Sequence, residues 1–390
     1  MPQPLTARAI LDRLVAFPTV SRDSNLALID WVEGYLDGLG VAAHRVWSPD
    51  RSKAHLYAQI GPEVAGGLVL SAHSDVVPVD GQDWATDPWT VTELDGRLYG
   101  RGTCDMKGFL ALMLAAVPRA QAAGLKRPLQ LALSYDEEVG CVAVVDMIEE
   151  MARTLPRAAA VIVGEPSMMK VVTAHKGGTG YEVEVRGHEV HSSLIHRGVS
   201  AVMEAARLVD WANRQNEDSA GRKPGPAAAP FDPPWTSLHV GRIRGGTAGN
   251  ITAGSCRFCI EFRIVPGESV EAWERRFEAE VARVEAAMQR VHRDCRIVLE
   301  KYYAMPPLEP ETAPEGGAAE ALARRLTGDN GTHVVSYGTE GGQFQRRGFS
   351  TVICGPGSIA QAHQPDEYLS LAQFEAGERF VDRLIDHLRE

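Results

Sequence analysis

The stretch LALSYDEEVG, residues Leu131–Gly140, joins an apolar run to three consecutive acids. The apolar, β-compatible residues in and just before it predict a strand that ends near Ser134, with the acids on the following loop. Open α/β sheets bind ligands at the carboxyl ends of their strands. A solvated acidic turn is the simpler interpretation of this run alone, because charge clusters usually face water. The choice between the two depends on whether other strand ends carry matching side chains.

Strand and helix patterns alternate on both sides of this stretch. Short apolar runs are predicted as strands ending near His73, Val163 and Cys354. Helical periodicity occurs between and after them, for example in residues 109–123 and 371–388. This alternation predicts an α/β fold with a mixed, largely parallel sheet flanked by helices.

The pattern changes within residues 178–303. Tyr181, Val183 and Val185 alternate with charged residues, which is typical of a half-exposed antiparallel strand. The predicted elements follow the order βαββαβ, so we expect an inserted α+β domain of the ferredoxin-like kind. The catalytic domain is then expected to comprise residues 1–177 and 304–390. By analogy, the inserted domain is expected to serve as a lid or a dimerisation surface.

Composition indicates an ordinary globular protein. The 390 residues are 44% hydrophobic and 23% charged, and the net charge of −11 argues against nucleic acid or an anionic membrane as the main partner. The amino terminus lacks a signal-peptide pattern and the apolar runs are too short to span a bilayer, so we expect a cytoplasmic protein. Six scattered cysteines fit a reducing compartment. Cys256 and Cys259 are predicted on opposite faces of one strand, where they cannot chelate together.

Metal-type side chains follow four predicted strands of the larger domain or lie in a glycine-rich loop. They are His73, Asp75, Asp105, Glu137, Glu138, Glu165 and His363. Two imidazoles and several carboxylates suit Zn²⁺ or a similar divalent ion. Taken singly, isolated histidines are usually core or surface residues, and carboxylates near glycine turns are often helix caps. The set is too large for one ion, but two ions with a bridging carboxylate would use it.

Six ordered motifs resemble those of the dinuclear zinc aminoacylase and carboxypeptidase family. They are HSDVVPV (73–79), GRGTCDMKG (100–108), YDEEVG (135–140), VGEPS (163–167), GTEGGQF (338–344) and CGPGSIAQAHQPDEYL (354–369). The resemblance spans essentially the whole chain and implies a zinc-peptidase-like fold. It is strongest to those members that hydrolyse N2-acetyl-L-ornithine to L-ornithine and acetate in arginine biosynthesis. Alternatives are another N-acyl amino acid deacylase, a succinyl-diaminopimelate desuccinylase, a dipeptidase, or a non-catalytic binding protein on the same scaffold.

The resemblance also implies roles for individual residues. It implies that Asp105 bridges two ions, that His73 and Glu165 complete one site, and that Glu138 and His363 complete the other. Asp75 would accept the second imidazole N–H of His73 and fix its tautomer. Glu137 would be the general base that moves the proton of the attacking water. Two divalent ions per chain are implied, with Zn²⁺ expected and Co²⁺ or Mn²⁺ as alternatives.

Further residues are expected to bind a small N-acyl amino acid substrate. They are His191, Asn250, Arg263 and Glu340. In the family, the segment of His191 reaches the partner subunit's site, which implies a homodimer formed through the inserted domain. The nearby His188 and His196 leave open which histidine does so, and a plain salt bridge is the alternative for Arg263. We hypothesise that Glu340 contacts the ammonium group of ornithine, because a cationic side chain requires an acid near the site.

Overall fold

The computed structural model describes residues 4–312 and 317–390. Within these residues the chain forms nine α-helices and fifteen β-strands. The helices are α1 (Ala7–Val15), α2 (Leu26–Gly38), α3 (Lys107–Ala122), α4 (Val144–Thr154), α5 (Ala201–Ala220), α6 (Val270–Gln289), α7 (Ala318–Thr327), α8 (Gly341–Arg346) and α9 (Leu371–Leu388). The strands are β1 (Ala43–Trp47), β2 (Ala54–Ile60), β3 (Leu68–His73), β4 (Thr92–Leu94), β5 (Arg97–Tyr99), β6 (Leu129–Ser134), β7 (Ala160–Pro166), β8 (Val172–His175), β9 (Gly177–Arg186), β10 (Ser237–Gly245), β11 (Ser255–Ile264), β12 (Arg296–Met305), β13 (His333–Val335), β14 (Thr351–Gly355) and β15 (Tyr368–Ser370).

The chain divides into two compact units. The larger unit comprises Met1–Ala174, Pro310–Val334 and Thr339–Glu390, and the inserted unit comprises His175–Glu309 and Val335–Gly338. Among the helices of the described residues, none has the combination of length and apolar character that crossing a membrane requires.

Eight strands form the main sheet in the order β1-β2-β6-β3-β7-β14-β8-β13. The central strands β6, β3, β7 and β14 run parallel to one another. Antiparallel pairing joins β1 to β2, β2 to β6, and β8 to β14. The predicted mixed, largely parallel sheet is therefore confirmed.

Helices cover the main sheet because its central strands are apolar on both faces. Every residue of β3, β6 and β7 is buried. Helix α3 is buried over most of its surface, contacts β3, and is itself covered by α1 and α9. Gly164 in β7 permits one close contact, since a Cβ there would lie 1.9 Å from the ring of Phe109. The backbone directly before Glu165 is thus held tightly against α3.

The inserted unit has a four-stranded antiparallel sheet in the order β10-β11-β9-β12, with α5 and α6 in contact with it. Along β11 buried and exposed positions alternate, because one face meets the helices and the other meets solvent. Cys256 is buried and Cys259 is partly exposed, so the two thiols lie on opposite faces, as predicted. The element order βαββαβ and this strand order are those of a ferredoxin-like domain.

Candidate active site

Four parallel strands bring the predicted donors to one edge of the main sheet. Strand β3 ends at His73, β6 ends at Ser134, two residues before the first of the acids, and β7 contains Glu165 near its end. Strand β14 ends at Gly355 and leads into the loop that carries His363. Because the carboxyl ends of parallel strands meet at the same edge, side chains far apart in sequence become neighbours.

The first group of donors consists of His73, Asp105 and Glu165. The Nε2 atom of His73 lies 3.1 Å from Oδ1 of Asp105 and 3.8 Å from Oε1 of Glu165. All three side chains are buried, and Oε1 of Glu165 makes no hydrogen bond within the described residues. A buried carboxylate oxygen without a donor is costly, and a bound cation removes that cost. The group therefore has the composition and the unmet charge of a cation site.

The second group consists of Asp105, Glu138 and His363. The Nε2 atom of His363 lies 2.9 Å from Oε2 of Glu138 and 3.3 Å from Oδ2 of Asp105. Asp105 thus presents one oxygen to each imidazole. Ligand atoms of His73, Asp105 and Glu138 all lie within 4.8 Å of one another. The two groups are therefore adjacent and share one carboxylate.

Glu137 lies beside the first group. Ligand atoms of Glu137, His73 and Glu165 all lie within 4.8 Å of one another. The thiol of Cys141 donates a hydrogen bond of 3.0 Å to Oε1 of Glu137. The sequence analysis did not predict this contact. The only indication of it in the sequence is that Cys141 follows Glu137 by four residues. Its hydrogen bond holds one oxygen of Glu137 at the rim of the cation site.

At this edge of the main sheet the acidic groups outnumber the cationic groups, and several pKa values are raised as a result. Burial raises the pKa of Glu137 to about 8, with repulsion from Glu138 adding to the shift and His73 opposing it. Burial and the negative charge of Asp105 raise the pKa of Glu138 to about 7. Hydrogen bonds to Asp105 and Glu138 raise the pKa of His363 to about 10. Without a cation these groups retain protons, and bound divalent ions would replace the protons.

Asp75 departs from its expected contact. The Nδ1–H of His73 donates to the main-chain oxygen of Asp75 at 2.8 Å, while the nearer carboxylate oxygen is 3.6 Å away. The carboxylate accepts the hydroxyl of Ser21 at 2.7 Å and the main-chain N–H groups of Glu137 and Glu138 at 3.3 and 3.4 Å. The main-chain oxygen therefore fixes the His73 tautomer, because the carboxylate is committed to the loop of the two glutamates.

Glu340 also departs from expectation. Its side chain is buried, and its two oxygens accept hydrogen bonds from the hydroxyls of Ser71 and Ser134. Burial raises its pKa above the ordinary value, with the two hydroxyls opposing the shift. A contact with the ammonium group of a substrate disagrees with this placement, because both oxygens are already engaged inside the protein. Glu340 instead joins β3 to β6 close to the point where both strands end.

The loop that carries Glu137 and Glu138 is held by residues that the sequence did not reveal. Nδ1 of His55 accepts the N–H of Tyr135 at 3.2 Å, and its Nε2–H donates to the carbonyl of Ala143 at 2.9 Å. Burial lowers the pKa of His55 to about 3, so the ring is neutral, as an accepting nitrogen requires. Lys53 pairs with Asp136 at 2.5 Å, which accounts for the one acid of the opening stretch without an expected role.

The substrate residues predicted in the inserted unit fall in two places. The main-chain N–H of Ser192, next to His191, donates to the carbonyl of Asn250 at 2.9 Å. The segments of His191 and Asn250 are therefore adjacent. Arg263 lies on β11 and pairs with Glu261, which is the salt bridge considered as its alternative role.

The three neighbouring histidines differ in their surroundings. The ring of His188 stacks on that of His292 with centroids 3.7 Å apart. His191 precedes a 3₁₀ turn, Ser192–Arg197, and its Nδ1 accepts the N–H of Ser193 at 3.2 Å. His191 and His196 are both exposed. Stacking engages His188, which leaves the other two as the candidates that can reach outward.

Comparison with known proteins agrees with this geometry. Residues 69–387 match peptidase family M20/M25/M40. The chain is 36% identical to acetylornithine deacetylase of Myxococcus xanthus, with 97% of each chain covered, and 33% identical to that of Yersinia pseudotuberculosis, with 96% of this chain and 95% of the relative covered.

Solved structures of the family share the fold. An M20 family metallo-carboxypeptidase from Sulfolobus solfataricus superposes with a TM-score of 0.80 at 17% identity, covering 98% of this chain and 99% of the other. A dinuclear metal binding peptidase of the M20 family from Bacillus subtilis superposes with a TM-score of 0.65 at 13% identity, covering 98% and 97%. This chain therefore belongs to peptidase family M20/M25/M40 and is a metal-dependent hydrolase of amide bonds.

Proposed function

We propose that the protein removes the acetyl group of N2-acetyl-L-ornithine, giving L-ornithine and acetate in arginine biosynthesis. The observation that carries the chemistry is the pair of donor groups sharing Asp105, with Glu137 beside them. The choice of substrate is supported by the name of the relatives, which the chain matches over nearly its full length. We propose a cytoplasmic location for such a biosynthetic enzyme. The six free cysteines are consistent with it, because the cytoplasm keeps thiols reduced.

In this proposal two divalent cations are bound per chain. Asp105 would serve both sites, His73 and Glu165 would complete one, and Glu138 and His363 would complete the other. Within the described residues Oε1 of Glu165 is buried and makes no hydrogen bond, and this oxygen and the mixed imidazole and carboxylate donors fit this assignment. Zn²⁺ is the proposed ion, with Co²⁺ and Mn²⁺ as alternatives that the same donors accept. When bound, such ions lower the pKa of water and polarise a carbonyl oxygen.

Glu137 is the proposed general base. Its carboxylate takes a proton from the attacking water as the water oxygen bonds to the acetyl carbon, and then delivers that proton to the departing nitrogen as the C–N bond breaks. In the metal-free site burial raises the pKa of Glu137 to about 8, and bound cations would lower that pKa, so that the carboxylate is ionised before it takes the proton. Cys141 holds one of its oxygens by a hydrogen bond. Asp75 positions the loop by accepting the N–H groups of Glu137 and Glu138.

Residues of the inserted unit are proposed to bind the substrate. Arg263 would bind its carboxylate, because a guanidinium can donate two parallel hydrogen bonds to one carboxylate. Asn250 would contact the substrate, and His191 would support the developing oxyanion in the partner's site. Replacing Arg263 with Lys should then raise KM by more than it lowers kcat. Equal effects on the two constants would favour the plain salt bridge with Glu261.

We further propose that the protein forms a homodimer through the inserted unit and that the inserted unit serves as a lid. Strand β10 is at the edge of its sheet and exposes Ile243, while the neighbouring helix α5 exposes Val202 and Met203. Exposed apolar residues beside an unpaired strand edge are typical of an association surface. Replacing Met203 with Glu should yield monomers in light scattering, with Val64→Glu, at an exposed apolar residue of the larger unit, as the matched control. Unchanged mass in the Met203 variant would place the interface elsewhere.

A substrate panel tests the proposed reaction. The value of kcat/KM should be highest for N2-acetyl-L-ornithine, lower for N-acetylmethionine and lowest for N-succinyl-diaminopimelate. A preference for the succinyl compound would identify a desuccinylase, and a preference for dipeptides would identify a dipeptidase. Metal analysis should find about two ions per chain. Metal binding without turnover of any of these compounds would favour a non-catalytic binding protein.

A further inference from the structure

A continuous series of hydrogen bonds links the loop of Asp105 to the loop of His363 within the larger unit. Its centre is Glu367, whose side chain is 1% exposed. One carboxylate oxygen of Glu367 accepts the main-chain N–H groups of Cys104 and Asp105, at 2.9 and 3.0 Å. The other oxygen accepts a 2.6 Å hydrogen bond from Nη1 of Arg101, which is also 1% exposed.

Gln82 extends this series to the second loop. Nη2 of Arg101 donates to the side-chain oxygen of Gln82 at 2.6 Å, and the side-chain N–H₂ of Gln82 donates to the main-chain oxygen of His363 at 2.9 Å. The indole N–H of Trp84 donates to the same Gln82 oxygen at 3.0 Å. Two donors on its oxygen orient the amide, so that its N–H₂ group points at the His363 backbone.

The position of the His363 side chain depends more on the conformation of its backbone than on the packing of the side chain itself. Its side chain is half exposed, and its φ of +64° is in the left-handed region, which is uncommon for residues other than glycine. In the buried ion pair of Arg101 and Glu367, both carboxylate oxygens are engaged, by the guanidinium and by two main-chain amides, whereas Nε of Arg101 has no hydrogen-bond partner within the described residues. Hydrogen bonds of this kind restrict the motion of the segments that they join. The network therefore fixes one loop relative to the other.

We propose that Glu367, Arg101 and Gln82 are positioning residues that set the separation of Asp105 and His363, and so determine the affinity of the second cation site. This inference depends on the proposed function, in which those two residues share a cation. Groups that orient metal ligands commonly change affinity about 10- to 100-fold when they are removed. Loss of the Gln82 amide should affect the cation held by His73 and Glu165 less, because that amide donates to the backbone of His363, which belongs to the other site.

The replacement Gln82→Ala tests the inference with the least disturbance, because the buried pair of Arg101 and Glu367 stays intact. The metal-free protein should be titrated calorimetrically with Co²⁺, and the visible absorption of the bound ion should be recorded. We expect the first ion to bind as in the unaltered protein, and the second to bind about tenfold more weakly with a changed spectrum. Gln364→Ala is the matched control, because that amide bonds to Ala360 within its own loop.

Glu367→Gln is the second variant, since it keeps the side-chain size but replaces one acceptor oxygen with an N–H₂ donor, which must face either Arg101 or the main-chain N–H groups of Cys104 and Asp105. It should weaken the second ion by more than Gln82→Ala does. Affinities and spectra equal to those of Gln364→Ala in both variants would overturn the inference, and so would equal weakening of both ions in Gln82→Ala, which leaves the hydrogen bond to the Asp105 backbone in place. If Glu367→Gln fails to fold, Gln82→Ala alone decides. His363→Ala separates the two hypotheses, because retention of two ions in that variant would refute the ligand assignment itself.

Discussion

The buried acids of the larger unit are of two kinds. Glu340 and Glu367 have all their oxygens matched by protein donors, namely two serine hydroxyls in one case and two main-chain amides with a guanidinium in the other. Within the described residues, Glu165 has a buried oxygen without a donor, Glu137 accepts a hydrogen bond from the thiol of Cys141, and Glu138 pairs with His363 at the candidate cation site. Acids of the first kind hold the structure together, whereas acids of the second kind are left available for cations and for proton transfer.

The difference has a physical origin in the cost of burial. Moving a carboxylate out of water costs roughly several kcal/mol of solvation free energy. Hydrogen-bond donors of the protein offset this cost when they replace the water. Donors from the protein replace it permanently, which is suitable for a structural residue. Acids without such donors stay neutral or bind a cation. Substitutions in the two groups should therefore have different consequences.

The largest effect is expected for Glu137→Gln. The amide cannot accept the proton of water, so kcat should fall at least about 10²-fold. Both ions should be retained, because Glu137 is the base and not a ligand in the proposed mechanism. Steady-state kinetics and metal analysis of the purified variant measure the two properties. Because Glu137 lies within reach of His73 and Glu165, loss of an ion would show that it is a ligand.

The next effect is expected for Glu138→Ala, one residue along the chain. This change removes a ligand that only one of the two ions contacts, so the content should fall from about two ions per chain to about one. Turnover should fall as a result and should recover in part at high metal concentration. The comparison with Glu137→Gln is direct, because both residues are in the same loop. A variant that retains two tightly bound ions would contradict the division of roles.

A smaller effect is expected from pH on metal affinity. In the metal-free site the pKa of Glu138 is raised to about 7 and that of His363 to about 10. Both groups must lose protons before they bind a cation, so affinity should increase as the pH rises. The gain should be up to about tenfold per pH unit for each proton displaced. Competition with a chelator between about pH 6 and 8 measures it. A pH-independent affinity would show that the site is deprotonated before the metal binds.

The smallest effect is expected for Glu340→Gln, which alters an acid of the first kind. Both ions and most of the turnover should be retained, because its oxygens contact serine hydroxyls and not the cation sites. The free energy of unfolding in urea should decrease by about 1 kcal/mol, as expected for one weakened buried hydrogen bond. A rise in KM for N2-acetyl-L-ornithine, absent for N-acetylmethionine, would instead restore the idea that Glu340 contacts the substrate.

Much of the architecture could be predicted because it follows from local patterns. The apolar runs ending near His73 and Ser134 are strands, and their burial on both faces explains why they lack alternation. The alternation along β11 likewise predicted that Cys256 and Cys259 lie on opposite faces. The metal-type residues were recognisable because several of them follow consecutive strands, which meet at one edge whenever those strands are parallel.

Contacts that depend on side-chain direction could not be predicted. The motif around Glu340 indicated proximity to the site, but the hydroxyls that engage its carboxylate are on two other strands. The same is true of His55, whose ring joins the two ends of a loop distant from it in sequence. No local pattern encodes such contacts, because they depend on which strands become neighbours.

The sequence by itself determined the order of strands and helices, the apolar faces, and the set of acids and imidazoles that chemistry could use. Periodicity and residue type are local properties, so they can be recognised without the fold. Only the tertiary structure decided which acids have both oxygens engaged by hydroxyl, main-chain or guanidinium donors, and which lie beside the imidazoles of the candidate cation site. That distinction depends on distances of about 3 Å between segments far apart along the chain. It separates Glu340 and Glu367 from Glu137, Glu138 and Glu165, although all five are the same amino acid.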